Sequence, residues 1–560
     1  MEDRTAKDII AMRDRARAEQ NPLLYDWQDL ADLCYPRQNR IGGTSLALQT
    51  TRTVQDNTGV QDSQRMASGM SSTLIPIGQE FFGFRIRDNR LRSDDKLARY
   101  VSEASAELHQ QMFESNFMLQ LNEALRDMLV FGTCNLFTEW DTGPNDSEKK
   151  RGRNGSYGQL NYKAYPTGTY QILEDDHGNV DTMLLSFQLS ARQGVLKFGS
   201  TAVSDELRKA NDKSETAEDV FEFIHCVRPR ANRNQQFIDN LNMPYESVYV
   251  DVKGQVKVLE TGYEEFPFAV ARWTKGNGEK YGRGQGAEAL PFLRMLQNMM
   301  KDYIDLCNKY ADPPILVRQG FEGSPNLTPH GVNIVNDPMT DIRGLEQQVL
   351  GNAPVTEQAV EAQRQTIHES FYRDVFGQMG SLKGDRRTTT EILERAREGL
   401  RQLSMPVSRI ESELLTPLIT RSLNLLIRNG RIPPPPLEFL GGNGYGIEYL
   451  GELGLALRNQ QVEGFIRWVS ALGQIARICP EVIDLVNVDS GARRLARNRG
   501  VNIDDVATEE QVAAKREARQ KQQAAAMAAQ VAQMAAKGYS QTNKAPEAGS
   551  LAGELMGVTK

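Results

Sequence analysis

The chain has 560 residues, of which 39% are hydrophobic and 25% charged, a composition that suits a soluble, multi-domain globular protein. Its formal net charge of −7 argues against a protein that coats nucleic acid over its whole surface, though not against a local basic loop. No window reaches the roughly 18 apolar residues of a membrane span, and the opening stretch MEDRTAKDIIAMRDRARAEQ is too charged for a secretory signal.

The N-terminal part reads as helical. Asn21 and Pro22 predict a helix start before Leu23, Trp27, Leu30 and Cys34, and Pro36 predicts its end. A second helix is expected over Thr58–Leu74, where Ala67, Ser68, Gly69, Ser71 and Ser72 permit close approach to a neighbour. Asp94–Phe117 and Leu119–Phe131 add two amphipathic helices, and Phe131-Gly132-Thr133 switches the chain to strand. From Asn135 to about Thr274 the runs NLFTEW, QLNYKAY, VDTMLLSFQL, DVFEFIHCV, ESVYVDV and QVKVLETGY predict a β-rich part. Glu174–Asp181 fits a hairpin turn, and Gly143–Ser156 and Thr201–Glu218 read as exposed loops.

Helices return after the glycine cluster GNGEKYGRGQG. Leu293, Leu296, Met300, Tyr303, Cys307 and Tyr310 mark one face of a helix ended by Pro313-Pro314. Thr356 predicts the cap of another, with Val360, Ile367, Phe371 and Val375 on one face and Gly377 near its end. The excursion between them, Ile315–Pro354, is too long for a structureless loop and predicts a small folded unit. The basic loop SLKGDRRTTT then leads into one very long helix. Thr388 and Glu391 form its capping box, and Leu393, Ala396, Leu400, Leu403, Val407, Ile410 and Leu414 form its apolar stripe. Pro406 and Pro417 should kink it, and Gly430 followed by IPPPP should stop it. Tyr445–Val486 suggests two or three more helices. Thr508 to Lys537 is an Ala/Gln-rich helix former with few large apolar side chains, and the composition from Gly538 onward suggests a disordered tail.

Tests for catalytic chemistry fail one after another. There is no GxxxxGK[ST] loop, and Gly282-Arg283-Gly284-Gln285-Gly286 lacks dinucleotide-fold spacing, so a turn between a β region and a helix accounts for it better. His109, His177, His225, His330 and His368 include no metal-ligand pair. Cys34, Cys134, Cys226, Cys307 and Cys479 include no CxxC and read as reduced thiols of a protein made in a reducing cytosol. Glu174, Asp175 and Asp176 could attract a divalent ion but sit in a turn, where a solvated loop is the simpler reading. The suggestive charges are Lys383, Arg386 and Arg387, close together on a loop before a helix N-terminus. One such loop binds phosphate weakly; repeated around an axis, many weak contacts add.

Several blocks in order resemble the head-to-tail connector, or portal, proteins of short-tailed bacteriophages: DNTG with RMASGMSSTLIPIGQEFFGFRI, then DMLVFGTCNLF, YGRGQGAEALPFLRMLQNMMKD with YADPPILV, and TTTEILERAREGLRQL through ELLTPLITRSLNLLIRNGRIPPPP. GIEYLGELGLALRNQQ and the Ala/Gln-rich end extend the resemblance over nearly the whole chain. It implies a mixed α+β, predominantly helical portal fold that assembles as a ring, usually of about twelve subunits. The ring would sit at one capsid vertex of the virion after synthesis in the host bacterial cytoplasm, and double-stranded DNA would enter and leave through it. It would need no cofactor, metal or membrane. The implied division is a wing (1–283), a first stem helix (284–312), a clip (313–355), a second stem helix (356–377) and a tunnel loop (378–388). A long kinked helix (389–430), a crown (431–507), a C-terminal helix able to join a barrel (508–537) and the tail (538–560) follow. Lys383, Arg386 and Arg387 would face DNA. Arg318, Asn326, Asp337 and Arg343 of the clip would meet the terminase large subunit and later the tail adaptor and tail proteins. Major capsid and scaffolding proteins would be further partners. Two other readings compete: a packaging enzyme, which the missing phosphate loop disfavours, and a structural adaptor or scaffold ring that does not translocate DNA.

Overall fold

The computed structural model describes residues 2–36, 41, 54–76, 80–87, 95–141, 158–311 (apart from 235 and 238), 315–317, 342–344, 353–375, 403–436, 444–450, 468–472, 491–492 and 509–542. The chain divides into two compact units, Met1–Leu453 and Gly454–Lys560. The expected mixture of α and β with helices predominating is observed.

In the first unit, helix α1 runs unbroken over Glu2–Cys34 with Pro22 inside it. The helix start expected at Asn21-Pro22 is therefore corrected. Pro22 and Ala18 both lie on the exposed side, where water can serve the carbonyl that the proline leaves without a donor. The first half of α1 buries Ala6, Ile9 and Ala16 against Leu184, Ile224, Cys226, Val248 and Val250. Those residues belong to an antiparallel sheet in the order β4-β5-β6-β7-β8, formed by Tyr170–Glu174, Val180–Ser190, Val220–Pro229, Tyr245–Asp251 and Val256–Tyr263. The hairpin turn expected at Glu174–Asp181 joins β4 to β5. Asp175 Oδ1 accepts from the backbone N–H groups of His177 (2.9 Å) and Asn179 (2.8 Å), and Gly178 takes φ of 80°.

The stretch read as an exposed loop, Thr201–Glu218, contains helix α6 (Asp205–Asn211), capped by Ser204. It follows α5 (Ala191–Phe198), which a Ser190/Gln193 capping box starts. Leu207 is the buried side chain of α6, packing with Phe221 and Phe223. One apolar contact inside a polar segment leaves too little periodicity to read. The loop expected at Gly143–Ser156 lies outside the described residues.

Helices α2 (Thr58–Leu74), α3 (Asp95–Glu114) and α4 (Phe117–Phe131) form where the periodicity places them. Of the small residues singled out on α2, Ala67 and Ser71 are buried, in one row with Gly59 and Ser63. At Gly59 an added Cβ would stand 2.8 Å from Leu33 O of α1, so this row does bring backbones together. A three-stranded sheet, β3-β2-β9, uses Gln159–Ala164, Thr133–Asp141 and Phe268–Arg272. Strand β1 (Phe82–Ile86) pairs antiparallel with β12 (Tyr445–Tyr449). The helices expected from Tyr445 onward are corrected to that extent: residues 445–449 are strand, 468–472 are helical, and most of the remainder lies outside the described residues.

Helix α7 (Gln285–Ala311) and helix α8 (Ala353–Ser370) pack on one another. α8 starts before Thr356, so Thr356 is not its cap. Of the long helix, residues from Leu403 are described: α9 (Ser404–Arg409), a π-helical turn (Ile410–Leu415) and α10 (Thr416–Arg428). Pro406 sits in the first turn of α9, where its missing N–H costs little. Pro417 cannot donate to the carbonyl of Glu413, and the chain answers with the wider turn, in which Thr416 N–H reaches back to Glu411 O. In the second unit, α11 (Glu509–Thr542) is exposed along nearly all of 511–534 and continues past Gly538, beyond the expected end at Lys537.

The glycine cluster has a packing cause. Gly132 caps α4 in the left-handed region, at φ of 94°. A Cβ on Gly282 would lie 2.3 Å from Gly132 O, one on Gly284 2.4 Å from Leu129 O, and one on Gly286 2.6 Å from Val130 O. Backbone therefore rests on backbone across the seam between α4 and the start of α7. Gly282→Ala should cost about 3 kcal/mol in denaturant unfolding, because the Gly132 carbonyl at the cap of α4 cannot retreat. Gly278→Ala, at φ of 80° in open space, should cost about 1–2 kcal/mol for backbone strain alone.

Candidate functional site: the α7/α8 helix pair and its anchors

α7 and α8 are antiparallel. With its amide oriented to satisfy its neighbours, Gln285 at the start of α7 donates to Ser370 O at the end of α8 (3.2 Å) and accepts from Trp273 Nε1 (3.2 Å). Further along, Gln363 donates to Phe292 O at 3.3 Å. Beyond the C-terminal end of α7, β10 (Ile315–Val317) and β11 (Ile342–Gly344) pair antiparallel, so the start of the Ile315–Pro354 excursion is held to a strand within its second half. Leu290, Leu293 and Leu296 of α7, Val360 and Ile367 of α8 and Phe371 just beyond it join the main core. The outer face of α8 carries Glu357, Glu361, Gln365 and Glu369, four residues apart and all exposed.

Charged clasps fix the pair to the N-terminal helices. Arg364 Nη2 lies 2.7 Å from Asp56 Oδ2, whose other oxygen accepts from Thr58 N–H at 2.8 Å. Gln297 of α7 accepts from Asp56 N–H and donates to Asp56 O at 2.7 Å. Burial would push the Asp56 carboxyl up, but the hydrogen bonds from Thr58 and Arg364 outweigh it and hold it below its ordinary value. Arg294 reaches Asp26 (2.9 Å) and Asp29 (2.8 Å) on α1. Buried Asp62 of α2 receives His368 of α8.

A second clasp holds the long helix. Arg272, at the end of β9 with a side chain 4% exposed, bonds Glu174 and Gly178 O of the hairpin turn and Glu413 of the π turn. Lys275 Nζ shares Glu174 at 2.6 Å. Glu174 is thus committed to two cations, and no group of acidic, histidine or cysteine side chains among the described residues could hold a metal ion. On α10, buried Arg421 donates to Thr138 O of β2 at 2.9 Å.

Nothing in this set is poised for catalysis. Burial pushes the thiols of Cys34, Cys134 and Cys226 up to about 12. Burial, helped by nearby Lys197, drives His225 down to about 3, so the ring stays neutral, stacked on Tyr249 and bonded to Ser247 Oγ. His109 bonds Phe82 O. The start of α7, which superficially resembles a phosphate loop, is packed backbone to backbone against the end of α4.

A family model described as bacteriophage head to tail connecting protein matches residues 6–506. The chain belongs to that family. It is 26% identical to the portal protein of Salmonella phage epsilon15 over 91% of this chain and 90% of the relative. Identity to the probable portal protein of Bordetella phage BPP-1 is also 26%, covering 94% of each chain. The portal protein of Enterobacteria phage T3 is 25% identical over 65% of this chain and 62% of its own. A head-to-tail connector is a structural part of the virion, at the capsid vertex where head meets tail. No described helix is long and apolar enough to cross a membrane.

Of the connector residues expected to meet partners, Arg343 lies in β11 opposite Leu316. Arg318, Asn326, Asp337, Lys383, Arg386 and Arg387 lie outside the described residues, as does the capping box at Thr388. Sequence reasoning missed Asp56, Asp62, Arg272, Arg364 and Glu413. Asp56 two residues before Thr58 was readable as a local cap; its partner Arg364 was not. Arg272→Met should leave Glu174 to Lys275 alone and Glu413 with only Arg409 at 3.7 Å, and cost about 3 kcal/mol by urea titration. Removing the exposed Arg192–Glu218 pair should leave the urea midpoint essentially unchanged.

Proposed function

We infer that this connector assembles as a ring of about twelve subunits whose channel passes double-stranded DNA into the capsid during packaging and out of it during ejection. The reading rests on family membership and on one structural observation: an anchored antiparallel helix pair with a polar outer face and a paired strand base at its far end. On this reading α7 and α8 are the stem. The segment 313–355 is the clip, with Arg318, Asn326, Asp337 and Arg343 meeting the terminase large subunit and then the tail adaptor and tail proteins. The body before α7 is the wing, residues 431–507 form the crown beside capsid and scaffolding proteins, and α11 completes a barrel with its symmetry mates.

The charge pattern supports sliding rather than gripping. On this reading the exposed Glu357, Glu361 and Glu369 on α8 and Asp302 and Asp305 on α7, with Lys301 beside them, would give a mainly acidic lining that does not neutralise phosphates. A uniformly basic wall would release counterions and hold the duplex. The loop 378–388 then supplies local attraction through Lys383, Arg386 and Arg387, each contact weak and summed around the ring. Replacing all three with alanine should lower packaged or retained DNA by about threefold or more, scored by genome content of purified particles. Unchanged packaging and retention would remove these residues from the account.

A further inference from the structure

The apolar stripe Val360, Ile367, Phe371, Val375 continues one helix face beyond the end of α8, yet the helix breaks at Phe371-Tyr372 and resumes only over Arg373–Val375. Tyr372 stands at φ of 51°, a left-handed backbone that an aromatic residue rarely adopts. Around it the bonding changes: Phe371 N–H still reaches Ile367 O, four residues back, but Tyr372 and Val375 bond Glu369 O and Tyr372 O, three back. Phe371 is buried and Tyr372 is half-buried against the same core.

A hydrogen-bond chain of fixed polarity spans this break. Arg373 contacts Nε2 of His368, and Nδ1 of His368 contacts Asp62 Oδ2. A guanidinium can only donate, so Nε2 accepts, and the ring proton on Nδ1 is donated to the carboxylate. Asp62 has a side chain 1% exposed, and its other oxygen has no hydrogen bond, with Arg65 Nη1 at 4.0 Å. That carboxylate depends on His368, and His368 can accept from Arg373 only where the chain turns back at Tyr372.

We propose that the end of α8 is a two-state element: the Arg373–His368–Asp62 chain latches it in the broken form, and release lets the helix run unbroken through Phe371 and Tyr372 into Arg373–Val375. The local sequence favours the continuous helix, while the tertiary latch and the burial of two successive aromatic rings favour the break. The two arrangements send the chain out of residue 375 in different directions. This holds whether or not the ring reading is correct, because it concerns the fold of one subunit.

Nitroxide labels at Gln64 on α2 and Asp374 beyond the break, both exposed, read the two states in the full chain by pulsed electron paramagnetic resonance. With labelled chains diluted among unlabelled ones, so that only pairs within one subunit are read, the parent should give one distance. His368→Leu, which cuts the chain at its middle, should add a second distance holding about a tenth or more of the population. Arg373→Ala carries the same expectation should His368→Leu fail to fold. Adding Tyr372→Gly, which removes the cost of the left-handed backbone, should restore the parent distance. A single parent-like distance in the folded latch variants overturns the proposal, and so does a second population that Tyr372→Gly leaves unchanged.

Discussion

Everything about the α7/α8 pair depends on a backbone-to-backbone contact that excludes side chains. Gly132 closes α4, and Gly282, Gly284 and Gly286 lie against its last turn so closely that a methyl group at any of them would overlap a carbonyl. Trp273 N–H donates to Gly132 O at 2.9 Å, and Gly282 N–H donates to Thr133 Oγ1 at 2.9 Å, so the seam is also stitched to β2 and β9. Packed atoms at this separation leave α7 one direction of departure. A helix of 27 residues amplifies any error in that direction, since it extends roughly 40 Å from its base at about 1.5 Å per residue.

The charged clasps act on top of that geometry. The main core, running from Trp27 through α4 and β2 to Leu426 and Ile432, supplies the apolar burial that holds the subunit together. Arg364 with Asp56, Arg294 with Asp26 and Asp29, and Arg272 with Glu174 and Glu413 add orientation. Each joins elements far apart in the chain, and breaking the Arg364 clasp would leave the buried Asp56 carboxylate without its cation. A structural part of a virion gains from such a division, because the core resists unfolding while the clasps resist rotation of rod-like elements. The π turn at Ile410–Leu415 fits the same pattern. Pro417 breaks the regular helix there, and the widened turn presents Glu413 to Arg272.

The elements that could be read from the sequence are those with a clear period. Strands β2, β3, β5, β6, β7 and β8 and helices α2, α3 and α4 follow alternating or helical apolar patterns. β9 was hidden because all five of its residues are buried, which removes the alternation. β12 was misread because glycines surround a five-residue strand whose partner, β1, lies more than three hundred residues earlier. The Ser190/Gln193 capping box that opens α5 was a usable signal that went unread. At the helix pair, the two helices and the glycine punctuation were legible. The clasps were not, because no local rule connects Asp56 to Arg364 or Asp62 to His368. The glycine cluster was recognisable as special, but its cause lies in α4, which no spacing reveals.

Electron microscopy of the purified full-length protein would show directly whether these subunits close into a ring around a channel. Closed rings with a central hole and a protrusion on one face, built by the α7/α8 pairs of about twelve subunits, are expected. Compact monomers that never close, at concentrations where the protein is fully folded, would contradict ring closure.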